Sequence, residues 1–395
     1  MPLLLPVSGW QAESCKSRAM NSEQQKILAL LRAGLWNTPA DVALFSGQTD
    51  WETIFIHAAR QTVLGLVATG TGMLPCCCSP PVSVAKRLRD VTTVTIRSHA
   101  LLNRTLAAAV KLLRQNGIHP VLLKGQGVAT NYIEPYLRMC GDIDLYIGQR
   151  DYDKACEVVR QWAGAKEGIE SEKHYHFKHG DVTVELHRIA ERLVLPWQNT
   201  RFQRWTHKHL HNDHLRSVEI EGTAISLPPV NFDALYIFNH AWHHFSQGEG
   251  IGLRQLCDWV RYLHIFRGEI NRIEMERDLK SFGLWYPWQI FGPIAVDMLG
   301  LPREEYPFYT DRYARQAARV ISMIEVDGNF GFFDPSRMKR PEGYIAGKVH
   351  SFRRMSNRFG KLFLISPKEA VSAWSNYLYI GIKQVITDTL NPLKT

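Results

Sequence analysis

Asp142 and Asp144 stand two residues apart in "GDIDLYIG", a run whose Ile143, Leu145 and Ile147 otherwise read as a buried strand. Side chains two apart on a strand share a face, so both carboxylates project the same way, with Tyr146 beyond them, while the aliphatic residues point to the core. Like charges this close raise each other's pKa and weaken the strand unless a cation or hydrogen-bond donors offset them. The spacing calls for a metal. The segment "DVTVELH" repeats the pattern, with Asp181, Thr183, Glu185 and His187 on one face and Val182, Val184 and Leu186 on the other. If the two strands are neighbours, Glu185 brings a third carboxylate to the pair. Three oxygen ligands suit Mg²⁺ or Mn²⁺ better than zinc, and two such ions about 3.5–4 Å apart can clamp the attacking and leaving oxygens of a phosphoryl displacement.

Upstream, "LLKGQG" ends a strand in Lys124, Gly125 and Gly127 before a short helix. Backbone N–H groups at such a turn, beside an ammonium, bind phosphate oxygens, although the loop is not a Walker A sequence. Arg138 is a second cation aimed at the same region, with Glu134 or Asp142 as its structural alternative partner. His187 follows Glu185 on one face and can orient that carboxylate or meet substrate. His174 and His176 share a face of "KHYHFKHG" while His179 falls in the turn, which reads as an exposed hairpin. His240 and His244 have the i,i+4 spacing of a zinc pair, but Ala241 stands where a zinc protease carries glutamate, and a third ligand is lacking. Arg254 and Asp258 read as an i,i+4 ion pair.

These residues need elements to hold them. Apolar spacing predicts a helix from Ser22, a second through "DWETIFIHAARQTVLGLVATG", and a long third from about Ser83 to Asn116, stopped by Gly117 and Pro120. The period then changes to a short strand in "IHPVLLKG", a turn and short helix in "GQGVATNYI", the Asp142 strand, an amphipathic helix ending at Gly164, and a hairpin about His179-Gly180. From about Pro228 helices return, in "PVNFDALYIFNHAWHHFSQ" and, after "GEGIG", in "LRQLCDWVRYLHIF". The aromatic stretches "FGLWYPWQIFGP" and "YLYIGIKQVI" read as core or interhelix packing. The expected class is α+β, an α/β-type module between N- and C-terminal helical regions. Its expected parts are an extension or misassigned start before Met20 (1–19), a helical region (20–117), the catalytic module (118–227) and a C-terminal helical domain (228–395).

The 395 residues are 45% hydrophobic without an uninterrupted apolar run long enough to span a bilayer. A formal charge of +9 favours anionic partners: nucleotides, nucleic acid or an acidic membrane surface. The mild basic concentration in "GKVHSFRRMSNRFGK" reads as a solvated helix face. Seven cysteines, three of them consecutive at Cys76 to Cys78, lack framework or zinc spacing and fit a reducing cytoplasm.

"VLLKGQGVATNYIEPYLRMCGDIDLYI", "VTVELH" and "HAWHHFSQGEGIGLRQLCDWVRYL" together resemble the uncharacterised nucleotidyltransferase family of the DNA polymerase β-like superfamily, over most of residues 25–300. The resemblance implies a mixed sheet flanked by helices, a metal-bound NTP with ATP as the first candidate, and transfer of a nucleoside monophosphate to an acceptor hydroxyl with release of pyrophosphate. By position it makes Asp142 and Asp144 the metal pair and Glu185 the third carboxylate and candidate base. It sets Lys124 and Gly125 in place of the superfamily's Gly-Ser turn, a departure in residue type and spacing. It also turns His240, His244 and Arg254 of the helical lobe toward the cleft. The acceptor, whether small molecule, sugar, peptide, protein or RNA, stays open. So do a non-catalytic nucleotide sensor and an RNA- or protein-interaction role on the same fold.

Overall fold

The computed structural model describes residues 22–164, 168–211, 214–334 and 341–390. The expected extension at 1–19 lies outside the described residues. Helix α1 (Ser22–Trp36) buries Ile27, Leu30, Leu31 and Leu35, and α2 (Trp51–Arg60) starts where Asp50 accepts from the Thr53 N–H. The single helix expected next is broken into α2 and α3 (Leu64–Gly72). At the break Thr62 takes φ 55° and the side chain of Gln61 is freed for other work. Its Oε1 accepts from Leu253 N–H and its Nε2 donates to Ile324 O, both at 3.0 Å. Tertiary hydrogen bonds from one buried amide thus replace local helix continuity. Helix α4 (Val82–Gln115) follows and ends near Gly117, whose φ is 74°.

The sheet is built from β1 (Val121–Leu122), β2 (Asp142–Tyr146), β3 (Ile169–Glu170), β4 (His174–His179) and β5 (Val182–His187), with the one-turn helix α5 (Gln126–Ala129) after β1 and α6 (Tyr152–Ala163) after β2. Their order is β1-β2-β5-β4-β3, with β2 parallel to β5 and the remaining pairs antiparallel. The expected mixed sheet is present. One face, carrying Ile143, Leu145, Val184 and Leu186, packs with Leu106, Val110 and Leu113 of α4 and with Tyr152 and Val159 of α6. Helix α7 (Pro196–Leu210) and a hairpin of β6 (Arg216–Ile220) and β7 (Thr223–Leu227) complete this region. Glu221 and Gly222 turn that hairpin with φ of 50° and 64°, and Ile220, Ile225 and Leu227 join the core beneath the sheet.

The second core is helical: α8 (Val230–Ser246), α9 (Leu253–Ile265), α10 (Arg272–Ser281), α11 (Trp285–Pro293), α12 (Ala314–Asp327), α13 (Tyr344–Phe363) and α14 (Pro367–Leu390). Phe238, Trp259 and Trp288 pack at its centre with ring centroids 5.0 Å apart, which is the packing expected of "FGLWYPWQIFGP". The other aromatic stretch behaves differently. Tyr377 packs on Phe359 and Trp374, but Tyr379, Ile380 and Ile382 are exposed. Nor is the basic stretch only a solvated face, since Arg358 of α13 pairs with Asp327. Among the described residues, no helix is long and apolar enough to cross a membrane.

Besides the packing of α4 on β2, the N-terminal helices meet the turn before the acidic strand at α3. A Cβ on Gly65 of α3 would lie 2.1 Å from the carbonyl oxygen of Leu137, in the turn that leads to β2. Backbone meets backbone there, so Gly65→Ala should destabilise the protein by about 1–3 kcal/mol, the range for overpacking. Urea unfolding measures it, and an unchanged midpoint would mean that the turn yields freely.

Candidate functional site

Register builds the site. Parallel pairing sets Asp144 opposite Glu185, Asp142 opposite Thr183 and Tyr146 opposite His187, while β4 places His176 opposite Glu185 and His174 opposite His187. The polar residues of three strands therefore share the face turned from the α4/α6 core and toward the helical lobe. Oxygens of Asp142, Asp144 and Glu185 lie within 4.8 Å of one another. That donor set fits a hard divalent cation.

Two cations of the chain already offset this charge. Lys124 Nζ is 3.0 Å from Asp144 Oδ2 and 3.9 Å from Asp142 Oδ2. His187 Nε2 is 2.9 Å from Asp144 Oδ1 and 3.2 Å from Glu185 Oε2. Burial pushes the Asp144 carboxyl up, but Lys124 and His187 outweigh it and hold it below the usual range. Burial likewise opposes ionisation of Glu185, yet the His187 hydrogen bond and charge bring it down to about 2. For His187, burial is overcome by its two carboxylate partners, and its pKa is raised.

The Lys124 turn sits beside β2 for a conformational reason. Gly125 has φ 65° and ψ −117°, a region closed to other residues, and a Cβ there would stand 3.2 Å from Asp142 O. The short strand β1 is extended by the Leu123 N–H, which donates to Asp144 O at 3.0 Å. Lys124 is thus fixed at the edge of the acidic face. Removing its charge should tighten nucleotide-free binding of Mn²⁺ by about tenfold, as the ammonium no longer competes for the carboxylates. Calorimetry of Lys124→Met against wild type tests this, and weaker Mn²⁺ binding by the variant would contradict it.

Neither Arg138 nor Arg254 has the partner expected of it. Arg138 makes a two-pronged pair with Asp258, Nε to Oδ1 at 2.6 Å and Nη2 to Oδ2 at 2.7 Å, and Tyr132 donates to the same carboxylate at 2.6 Å. Neither Glu134 nor Asp142 is its partner, and Arg254 is not paired with Asp258. An i,i+4 pair on a helix contributes only about 0.2–0.5 kcal/mol, whereas a buried planar fork is charge-assisted twice over. Arg254 instead donates through Nη1 to Met139 O at 2.6 Å, and its buried Nε has no partner.

His240 and His244 do not form a metal pair. His240 Nδ1 lies 3.1 Å from Glu191, a carboxylate that also meets Lys173 at 2.9 Å, and His244 meets Glu249. Burial, reinforced by Lys124, holds His240 well below its ordinary pKa and keeps it neutral. His174 and His176 are more than an exposed hairpin, since their Nδ1 atoms stand 3.8 and 3.6 Å from Glu185. Strand alternation could have placed them there. Glu191 and Phe330 carried no comparable signal. A cavity between the sheet and the lobe is lined by Lys124, Gly125, Asp142, His240, Arg254 and Phe330, among others. Its volume is about 50 Å³, far below the 300–1,000 Å³ or so of a ligand pocket. A nucleotide needs the walls to part.

The mixed sheet, with paired acids on one central strand and a third on its parallel neighbour beside a lysine-glycine turn, is the arrangement of a nucleotidyltransferase module. Residues 47–292 match the family described as uncharacterised nucleotidyltransferase, and the chain belongs to that family. Among solved structures, an antigenic nucleotidyltransferase-like protein from Paracoccidioides brasiliensis is similar at 11% identity and a TM-score of 0.34, covering 54% of this chain and 96% of that one. Comparison with curated proteins gives no match.

The ionised cluster has a pH signature. Glu185 sits at about 2 against an ordinary 4.5, so its pairing stabilises the fold in full above pH 4.5 and is lost as pH falls toward 2. His187 is raised above 6.5, so its contribution is complete below 6.5 and lost as pH rises through the folded value. Both act in full only between pH 4.5 and 6.5. The Tm difference between wild type and Glu185→Gln should therefore peak in that window. Circular-dichroism melts across pH measure it, and a pH-independent difference would show that the two are not paired as ions.

Proposed function

We propose that the protein is a metal-dependent nucleotidyltransferase, moving a nucleoside monophosphate from an NTP to an acceptor hydroxyl and releasing pyrophosphate. The observation that carries this reading is the convergence of Asp142, Asp144 and Glu185 within 4.8 Å, next to the Lys124–Gly125 turn, in a chain of this family. These three carboxylates are the residues that would hold Mg²⁺ or Mn²⁺, which supplies positive charge against the triphosphate and the charge that develops on transfer. ATP is the co-substrate to test first. The acceptor is a hydroxyl on a small molecule, sugar, peptide or protein. The described cysteines are free, in keeping with a cytoplasmic setting.

In the reaction the acceptor oxygen bonds to the α-phosphorus, the bond to the bridging oxygen breaks, and pyrophosphate departs with that electron pair. Lys124, released from Asp144, is the group that meets phosphate oxygens, and Gly125 lets the backbone approach them. Arg254, with an unpartnered Nε on the cavity wall, offers a second cation. Arg138 is engaged with Asp258 and acts by holding the wall. Glu185 is held ionised by His187, which brings its pKa down to about 2. Its role is to hold cation and to orient His187, and the hydroxyl proton passes to solvent.

Asp142 is the more exposed acid, at 40% of its side chain, so Asp142→Asn separates chemistry from folding. It should lower pyrophosphate release by at least about a hundredfold while leaving a cooperative melt, with Asp144→Asn equally inactive. Release is followed with each NTP and Mg²⁺ or Mn²⁺ in the presence of extract fractions as acceptor source. Wild-type turnover by either variant would sink the mechanism, and Mg²⁺-dependent NTP binding without pyrophosphate release would favour a non-catalytic sensor.

A further inference from the structure

Phe330 lies beyond the residues that match the family, yet it lines the same cavity as Lys124, Asp142 and Arg254. Its backbone is left-handed, φ 51° and ψ 26°, a conformation that bulky side chains rarely adopt. Such a conformation persists only where the surroundings over-determine it, and it concentrates at functional sites. The surroundings here are explicit. Gln255 Nε2 donates to Asn329 Oδ1 at 2.9 Å, Gln61 holds Ile324 O at 3.0 Å, and Arg358 pairs with Asp327. Elements from both ends of the chain fix this segment against α9.

The anchoring completes an aromatic wall. Tyr236 stacks on His240 with centroids 6.1 Å apart, His240 meets His244 edge-on at 4.4 Å, and His244 meets Phe330 edge-on at 5.2 Å. Tyr236, His240 and Phe330 all line the cavity. The cavity is thus bordered by Lys124, Asp142 and Arg254 as well as by these rings, with Tyr236 fully buried against His240. A ligand that carries both phosphates and a flat aromatic ring matches both sets of groups. We propose that Phe330, with Tyr236 and His240, forms the subsite that receives the nucleobase. The proposal rests on the nucleotidyltransferase reading, and it assigns the C-terminal region a direct part in nucleotide binding.

The test compares Mg²⁺-ATP with Mg²⁺-tripolyphosphate, which lacks the base, by calorimetry on the full chain. Phe330→Ala should weaken ATP binding by about tenfold, as loss of one aromatic–base stack does, and leave tripolyphosphate within about twofold. Phe330→Trp should restore ATP affinity, and its fluorescence should change with ATP but not with tripolyphosphate. Equal losses for both ligands, or unchanged ATP affinity in Phe330→Ala, would overturn the subsite while the phosphate site stands. Wild-type protein that binds neither ligand would overturn the nucleotide reading and the subsite with it. Melting curves of both variants separate a binding loss from unfolding.

Discussion

Mutual repulsion among three carboxylates is the constraint around which this molecule is arranged. Asp144 is fully buried, and an unpaired charge there would be expelled or protonated. Lys124 and His187 keep it ionised from two sides. Each of these partners needs its own support: Lys124 needs the glycine turn beside β2, and His187 needs the parallel register of β5. A cation arriving at the acids must compete with groups the fold put there. The cluster is thus in balance before any ligand comes, with Lys124 and His187 as its counter-charges.

The acidic sheet would be an ordinary open face without the helical lobe. Among the bonds that fasten the two is the Arg138–Asp258 pair with Tyr132, a buried network joining the segment before β2 to α9. Breaking a buried pair of this kind costs about 3–5 kcal/mol because it strands the surviving charge. Gln61 performs the same fastening on the far side of α9, where one amide bonds to α12 and to the first residue of α9. These bonds tie α9, which forms part of the cavity wall, to the segment before β2, to α12 and to the end of α2.

Alternation made the acids, Glu185, His187 and the aliphatic core face legible, because a strand's period of two forces that division whatever the partner. The long helix to Gln115 and the hairpin at Gly180 were legible for similar local reasons. What escaped was decided at a distance. The split of α2 from α3 reflects bonds from Gln61 to residues 192 and 263 positions away. Asp258 lies four residues from Arg254 but pairs across the cleft with Arg138, a choice that depends on burial and not on spacing. The β6–β7 hairpin has a local signal in the alternation and Glu-Gly turn of "VEIEGTAI", whereas Phe330 owes its place to a backbone conformation no pattern of residue types announces.

Strand β5 carries core and site on alternate residues, Val182, Val184 and Leu186 inward and Thr183, Glu185 and His187 outward. A slip of one residue would exchange the two sets completely. Insertion or deletion of a single residue between Gly180 and His187 is therefore not a graded change. It would thrust a carboxylate into the packing beneath the sheet and leave a valine facing the cleft. Any diversification of this site must come through substitutions on the strand, or through length changes in loops outside it.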